Sequence, residues 1–264
     1  MSMMSRTLLA LWLLIVPVWA SYDFNGSNQY LEVTFPAGTF PDITPTGGDE
    51  VSFHIWLNTD TSGEAFSICE STDTADFFMI HHSWPTKLVT QHRGEVSFNE
   101  STSTSTHAIK TWHSVGATFW GDGGTYTEMQ QYINGVASVS ASKPWSLIES
   151  HYDRINIGRR GDSTPSYYYN GRVAEVAVWK RKLTAAEWAG LAAGNSALFY
   201  STDLVYYFPL VNDLGCDIST YSLTAYNSAA SSGSHPTITY PSSGGAAHLV
   251  GGGVGRLVGG GLAQ

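Results

Sequence analysis

A chain of 264 residues with a formal charge of −9 and only 13% charged residues lacks the basic patches that nucleic acids and anionic membrane surfaces select in a partner. Nine Trp, fourteen Tyr and eleven Phe supply enough apolar bulk for a large core, so folding does not depend on disulfides. Cys69 and Cys216 either close one bridge, as an oxidising compartment permits, or sit apart as two buried thiols, and both readings stand.

Arg6 precedes an apolar run over residues 8–19 that ends in Val18-Trp19-Ala20. A charged start, a short apolar stretch and small residues at the break describe a secretory signal peptide, so 1–20 are expected to be removed and the remainder to be extracellular. The run is short for a membrane span. Removing 20 residues from 264 leaves 244, and losing Arg6 takes the charge from −9 to −10. That length suits one all-β domain, which we place at 21–228.

Within it, 29–33 reads as a strand, and VSFHIWLN (51–58) alternates strictly. Val51, Phe53, Ile55 and Leu57 share one face and Ser52, His54, Trp56 and Asn58 the other, the pattern of a half-buried strand. Further strands are predicted over 65–69, 77–82, 87–90, 113–119 and 154–158, each bounded by Gly, Pro, Asn, Asp or Ser. His81 and His82 are neighbours on one of them and point to opposite faces, which prevents them from sharing an ion. In EMQQYINGVASVS, Asn134-Gly135 separates two strand-like runs, so 127–140 is a hairpin with a type I′ turn. The stretch NGRVAEVAVWKRKLTAAEWAGLAAG (170–194) begins as a strand apolar on both faces, with Ala174, Val176 and Val178 on one side and Val173, Ala177 and Trp179 on the other. Lys180, Arg181 and Lys182 mark its exit to solvent. Thr184 and Glu187 then have capping-box spacing, Leu183 and Trp188 the staple positions, and Gly194 the helix stop. DLVYYFPL returns as a strand, and 229–264 is Ser/Gly-rich with Leu-Val-Gly-Gly-Gly at 249 and 257, the composition of a flexible tail. Many short strands and one rim helix indicate an all-β fold, two antiparallel sheets packed face to face.

In order, YDFNGSNQYLEV, VSFHIWLN, TWHSVGATFWGDGGTYTEMQQYINGV, INIGRR and YNGRVAEVAVWKRKLTAAEWAGL resemble the successive motifs of laminin-G-like (LamG) domains of the concanavalin A-like lectin and glucanase superfamily, over about residues 22–210. The resemblance implies a jelly-roll sandwich serving adhesion or glycan binding. It also brings up a structural calcium ion, common in the superfamily. Such domains often carry Asp where this chain has Ala174, and Glu175, Asp23 and Asn25 are scattered oxygen donors for a cation that needs about six. The plainer reading of Glu175 is a carboxylate paired with a backbone donor or an Arg.

The resemblance extends to retaining glucanases with a Glu-x-Asp-x-x-Glu strand. GEVSFNE places Glu95, Ser97 and Glu100 at that spacing, but Ser97 replaces the central Asp and a Ser/Thr-rich loop follows, so the two glutamates read as surface residues and the chain as non-catalytic. Zinc spacings, a nucleophile elbow, a P-loop and a dinucleotide fingerprint are absent from the sequence. Loop aromatics carry the functional signal, since sugar C–H faces stack on rings while hydroxyls take polar neighbours. Trp84 in HHSWPTKL, Trp145 in SKPWSLIES, and Tyr167, Tyr168 and Tyr169 in STPSYYYNG are the candidate ligand-binding residues; the ordinary alternative for each is a lid on the core. The expectation is therefore a secreted module that binds a glycan or an extracellular protein. The alternative is a structural subunit of a layer, filament or virion that self-associates through its Gly-rich tail. Asn25-Gly-Ser27 and Asn99-Glu-Ser101 are N-glycosylation sequons.

Overall fold

A computed structural model describes residues 21–36, 39, 46–47, 50–70, 77–83, 87–93, 98–103, 106–143, 152–161, 166–211, 213–232 and 234–241. The strands are β1 (Ser21–Asn25), β2 (Tyr30–Thr34), β3 (Glu50–Thr59), β4 (Gly63–Cys69), β5 (Phe77–Ser83), β6 (Lys87–Arg93), β7 (Phe98–Thr102), β8 (Trp112–Gly121), β9 (Thr127–Ile133), β10 (Val136–Lys143), β11 (Arg154–Ile157), β12 (Asn170–Trp179), β13 (Leu204–Phe208), β14 (Thr224–Tyr226) and β15 (Ala230–Ser232). One helix, α1 (Ala185–Ala192), follows β12. The first sheet runs β10-β9-β8-β3-β12-β1-β15 with β13 also on β12, and the second runs β14-β2-β11-β4-β5-β6-β7. The inward sides of the two sheets meet in a core containing Phe24, Leu31, Phe53, Phe66, Ile68, Phe119 and Val178.

The alternation in β3 places Val51, Phe53, Ile55 and Leu57 in that core. Its other face is not solvated as the pattern predicts: Ser52, His54, Trp56 and Asn58 are buried as well. A second apolar cluster covers it, made of Ala177, Trp179, Leu183, Trp188, Leu191, Ala197 and Tyr207. Two polar side chains of β3 are closed internally, Ser52 Oγ to Thr118 Oγ1 and His54 Nε2 to Ser114 Oγ, both at 2.8 Å. Burial holds the His54 imidazole down at about 3, so it is neutral at any ordinary pH.

The capping box forms as predicted, with Thr184 accepting from Glu187 N and Glu187 accepting from Thr184 N. Leu183 and Trp188 are both buried at the staple positions, and Gly194 takes φ 92. The 127–140 hairpin also forms, Asn134 (φ 49) and Gly135 (φ 79) supplying the two left-handed turn residues. Cys69 and Cys216 are two buried thiols that are not bridged to each other.

Two expectations are corrected. Strict alternation along β12 fails because its register on β3 slips between Ala174 and Ala177, a bulge centred on Glu175 at φ 56. Val173 therefore joins Val176 and Val178 in the main core, leaving Ala177 and Trp179 in the outer cluster. At the bulge the other edge of β12 also changes partner, from β1 along 170–173 to β13 along 176–179. The second correction is the tail boundary. Beyond residue 228, β15 pairs with β1, and Thr239 bridges Asn195 beside α1, so 230–232 and 234–241 belong to the sandwich. The predicted signal at 1–20 and the Leu-Val-Gly-Gly-Gly repeats at 242–264, on which self-association rested, lie outside the described residues.

Candidate functional site

Residues 167–169 show how one short aromatic run is split between surface and core. Gly26 N donates to Tyr169 O at 2.9 Å, Glu64 N to Tyr167 O at 3.0 Å, and Tyr169 N to Gly158 O at 2.9 Å, so the loop before β2, the start of β4 and the turn after β11 grip its backbone. Gly63 makes this possible. At φ 142, a Cβ there would stand 2.5 Å from the carbonyl oxygen of Tyr168. Tyr167, held in the left-handed region at φ 53, is 63% exposed. The Arg160 guanidinium lies 4.9 Å from its ring centre, which braces the ring against solvent. Tyr168 is half-buried, its ring 6.5 Å from Tyr30 and tilted 45°. Tyr30 in turn stacks on Tyr226 at 4.4 Å under the Arg159 guanidinium at 3.5 Å.

Tyr169 presents no face to a ligand. It is fully buried, its hydroxyl meets Thr59 Oγ1 at 2.8 Å, and burial raises its pKa far above the ordinary value. It leaves the predicted ligand set and becomes the anchor that fixes its two neighbours at the rim. Trp84, Trp145, Glu95 and Ser97 lie outside the described residues, and Glu100 is placed through its backbone on β7 opposite Gln91.

Tyr167 and Tyr168 stand on the wall of a cleft of about 610 Å³ at one end of the sandwich, with Asn25, Thr61, Ser62, Glu64, His81 and Asn170 completing the lining. Glu64 and His81 are cross-strand partners of β4 and β5. A second hollow of about 400 Å³ adjoins it across the shared Asn25 and Asn170, and adds Asp23, Gln29 and Asp60. Aromatic rings beside hydroxyl, amide and carboxylate groups can recognise a polyhydroxylated ligand. Of the polar lining, Asn25 and His81 were weighed as metal donors, and Thr61, Ser62 and Glu64 were not singled out from the sequence. Their signal was the punctuated loop DTSG before β4, whose glycine the tyrosine backbone requires.

Residues 25–188 match the laminin G model described as the concanavalin A-like lectin/glucanases superfamily. The chain belongs to this superfamily. A putative carbohydrate binding protein from Bacteroides ovatus is similar in structure, with a TM-score of 0.56 and 17% identity over 84% of this chain and 62% of its own. A native heptameric SAP-like pentraxin from Limulus polyphemus gives a TM-score of 0.51 and 14% identity over 66% of this chain and 82% of its own. At these identities the likeness is one of fold. No curated protein matches the chain.

The scattered oxygen donors considered for calcium do not assemble in this laminin G sandwich. Asn25 Oδ1 already accepts the amides of Ser27, Asn28 and Gln29 at 3.0, 3.2 and 3.4 Å, which makes it the cap of its own turn. Asp23 faces the smaller hollow. Glu175 sits at the β12 bulge, bonded to Tyr207 and Tyr240, so its partners are hydroxyls instead of the expected backbone donor or Arg. Among the described residues no three His, Cys, Asp or Glu groups converge on a point that could hold an ion. The donor set therefore does not fit a calcium ion, which needs about six oxygens in one shell.

Proposed function

We propose that this chain is a secreted, non-catalytic recognition module that binds glycan through the rim cleft. The observation that carries the reading is Tyr167, a ring 63% exposed, braced by Arg160 and set against a polar cleft of about 610 Å³. A tyrosine left this exposed gains little from packing, yet three backbone clamps and a strained φ hold it in place. The structural likeness to a putative carbohydrate binding protein from Bacteroides ovatus supports the same reading. An extracellular setting accords with the signal-like sequence of 1–20. Among the described residues no helix is long and apolar enough to cross a membrane.

The test is a screen of the chain against immobilised neutral, acidic and amino-sugar glycans. Retention on at least one class is expected, weakened roughly tenfold by Tyr167→Ala with the unfolding midpoint unchanged. A chain retained on none, or retained equally well without the Tyr167 ring, overturns the assignment. New reducing ends released from a bound polysaccharide and lost in Glu100→Gln would overturn its non-catalytic part.

A further inference from the structure

Glu175 combines two costs at one residue. It holds a left-handed φ of 56 inside a strand, where glycine is the usual occupant of such a bulge, and it places a carboxyl group at 3% exposure. The sandwich needs the bulge, because β12 changes partner there, but the bulge does not need an acid. What the acid touches is the C-terminal segment. Tyr240 Oη donates to Oε1 at 2.8 Å, Tyr207 Oη of β13 donates to Oε2 at 2.5 Å, and His235 Nε2 lies 3.4 Å from Oε1. The rest of the segment is held by ordinary hydrogen bonds. Thr239 N donates to Gly194 O at 2.7 Å and Ser196 N to Thr239 O at 2.9 Å, and at the other end Ser21 Oγ donates to Ser234 O at 2.9 Å.

We propose that Glu175 is a proton-operated latch for residues 234–241, which holds the segment on the outer face of the first sheet while Glu175 and His235 are both uncharged and frees it when either one ionises. Burial pushes Glu175 from 4.5 up to about 8, the two tyrosine hydrogen bonds pull it back less strongly, and the charge of Asp217 adds to the rise. Burial lowers His235 below its ordinary 6.5. His54 bonds the Glu175 backbone and is held at about 3, so it stays neutral throughout. Tyr207 and Tyr240 are raised and keep their protons.

The signs follow from linkage. A carboxyl raised from 4.5 to about 8 contributes docking stability that is complete below 4.5 and lost as pH rises through about 8. An imidazole lowered from 6.5 contributes stability that is complete above 6.5 and lost as pH falls through its depressed value. The carboxyl contribution is therefore lost between 4.5 and about 8 and is exhausted above that, while the imidazole contribution is lost as pH falls from 6.5; below 6.5 the two dependences oppose each other, so the segment loosens as pH rises from about 6.5 to about 8.

Hydrogen exchange of the full chain, corrected for the intrinsic pH dependence of amide exchange, reads this directly. Protection of the Thr239 and Ser196 amides is expected to fall between about pH 6.5 and 8 with a slope approaching tenfold per unit and to level off above that, while amides of β3 and β8 stay protected. Glu175→Gln keeps the shape without the charge and should abolish that alkaline fall, and His235→Asn, which removes the opposing imidazole, should extend the fall down towards pH 4.5. Tyr240→Phe should reduce Thr239 protection at pH 7 with the β3 and β8 amides unaffected, which gives a reading if Glu175→Gln fails to fold. An alkaline fall unchanged in Glu175→Gln, a protection flat across pH 5 to 10 in the parent chain, or loss of the β3 amides in step with Thr239 overturns the proposal.

Discussion

The outer face of the first sheet and the rim around Tyr167 use the same materials, aromatic rings beside polar groups, to opposite ends. On the sheet face, Trp188 stacks on Tyr132 at 4.5 Å and 10°, Trp179 Nε1 donates to Tyr200 O at 2.8 Å, and α1 with the 234–241 segment shuts the assembly from water. At the rim, Tyr169 is drawn inside in the same way, but two residues earlier the chain lies outward and leaves the Tyr167 ring facing solvent beside the cleft. Aromatic content by itself thus says nothing about role. What separates the two regions is whether a later piece of chain arrives to cover the rings.

That contrast is broken most severely on the covered side. Trp188 is 1% exposed, and its six-membered ring fills the space over Gly116, where an added Cβ would stand 2.5 Å from ring carbon Cζ3. Trp188→Ala is expected to cost roughly 3–5 kcal/mol in denaturant unfolding, from lost burial plus the cavity left behind. A cost under about 1 kcal/mol would mean that α1 is an ornament and that the sheet face can be solvated.

At the rim, Gly63→Ala tests the clamp. The new Cβ meets the backbone of Tyr168 and Tyr169, which a side chain rotation cannot relieve, so a loss of about 1–3 kcal/mol is expected. Glycan retention should fall with it, because Tyr167 is displaced. Stability lost with retention intact would show that the ring position is not fixed by that approach.

A sharper separation comes from two adjacent tyrosines. Tyr169→Phe removes the 2.8 Å bond to Thr59 Oγ1 and should cost about 1 kcal/mol of stability while leaving binding close to normal. Tyr167→Ala should do the reverse, with stability within about 0.5 kcal/mol of the parent and binding weakened. Equal effects of the two on unfolding would place Tyr167 in the core after all.

Much of this was legible in the sequence, and the gaps have identifiable causes. Period-two alternation assigned the inner face of β3, and the Asn134-Gly135 turn and the Thr184/Glu187 cap were readable because each depends on residues close in the chain. The burial of Ser52, His54 and Trp56 was not, since it is conferred by a helix more than a hundred residues later. The inversion of β12 at Glu175 was hidden because a glutamate stands where a bulge would be announced by glycine. The tyrosine triplet was identified as a unit, but its division required the loop contacts of Gly26 and Gly63. The polar cleft wall is assembled from the end of β1, the turn before β4, the strands β4 and β5 and the start of β12, and no local pattern unites them.

The smallest expected effect belongs to the start of α1, the joint between the covered face and its cover. Glu187 accepts from Arg181 at 2.9 and 2.6 Å and from Thr184 N at 2.7 Å. These bonds, that of Arg181 foremost, hold its carboxyl at about 2 against an ordinary 4.5. A depressed carboxyl contributes stability that is complete above 4.5 and lost as pH falls through about 2. Because the pair stays partly in contact with solvent, screening trims the effect, and about 1 kcal/mol or less is expected at neutral pH from Glu187→Gln. The thermal midpoint of that variant should lie slightly below the parent at pH 7 and converge with it between pH 4.5 and 2. Parallel curves across that range would mean that the helix is held on by Trp188 and Leu191 alone, and that its cap adds nothing to the closure of the sheet.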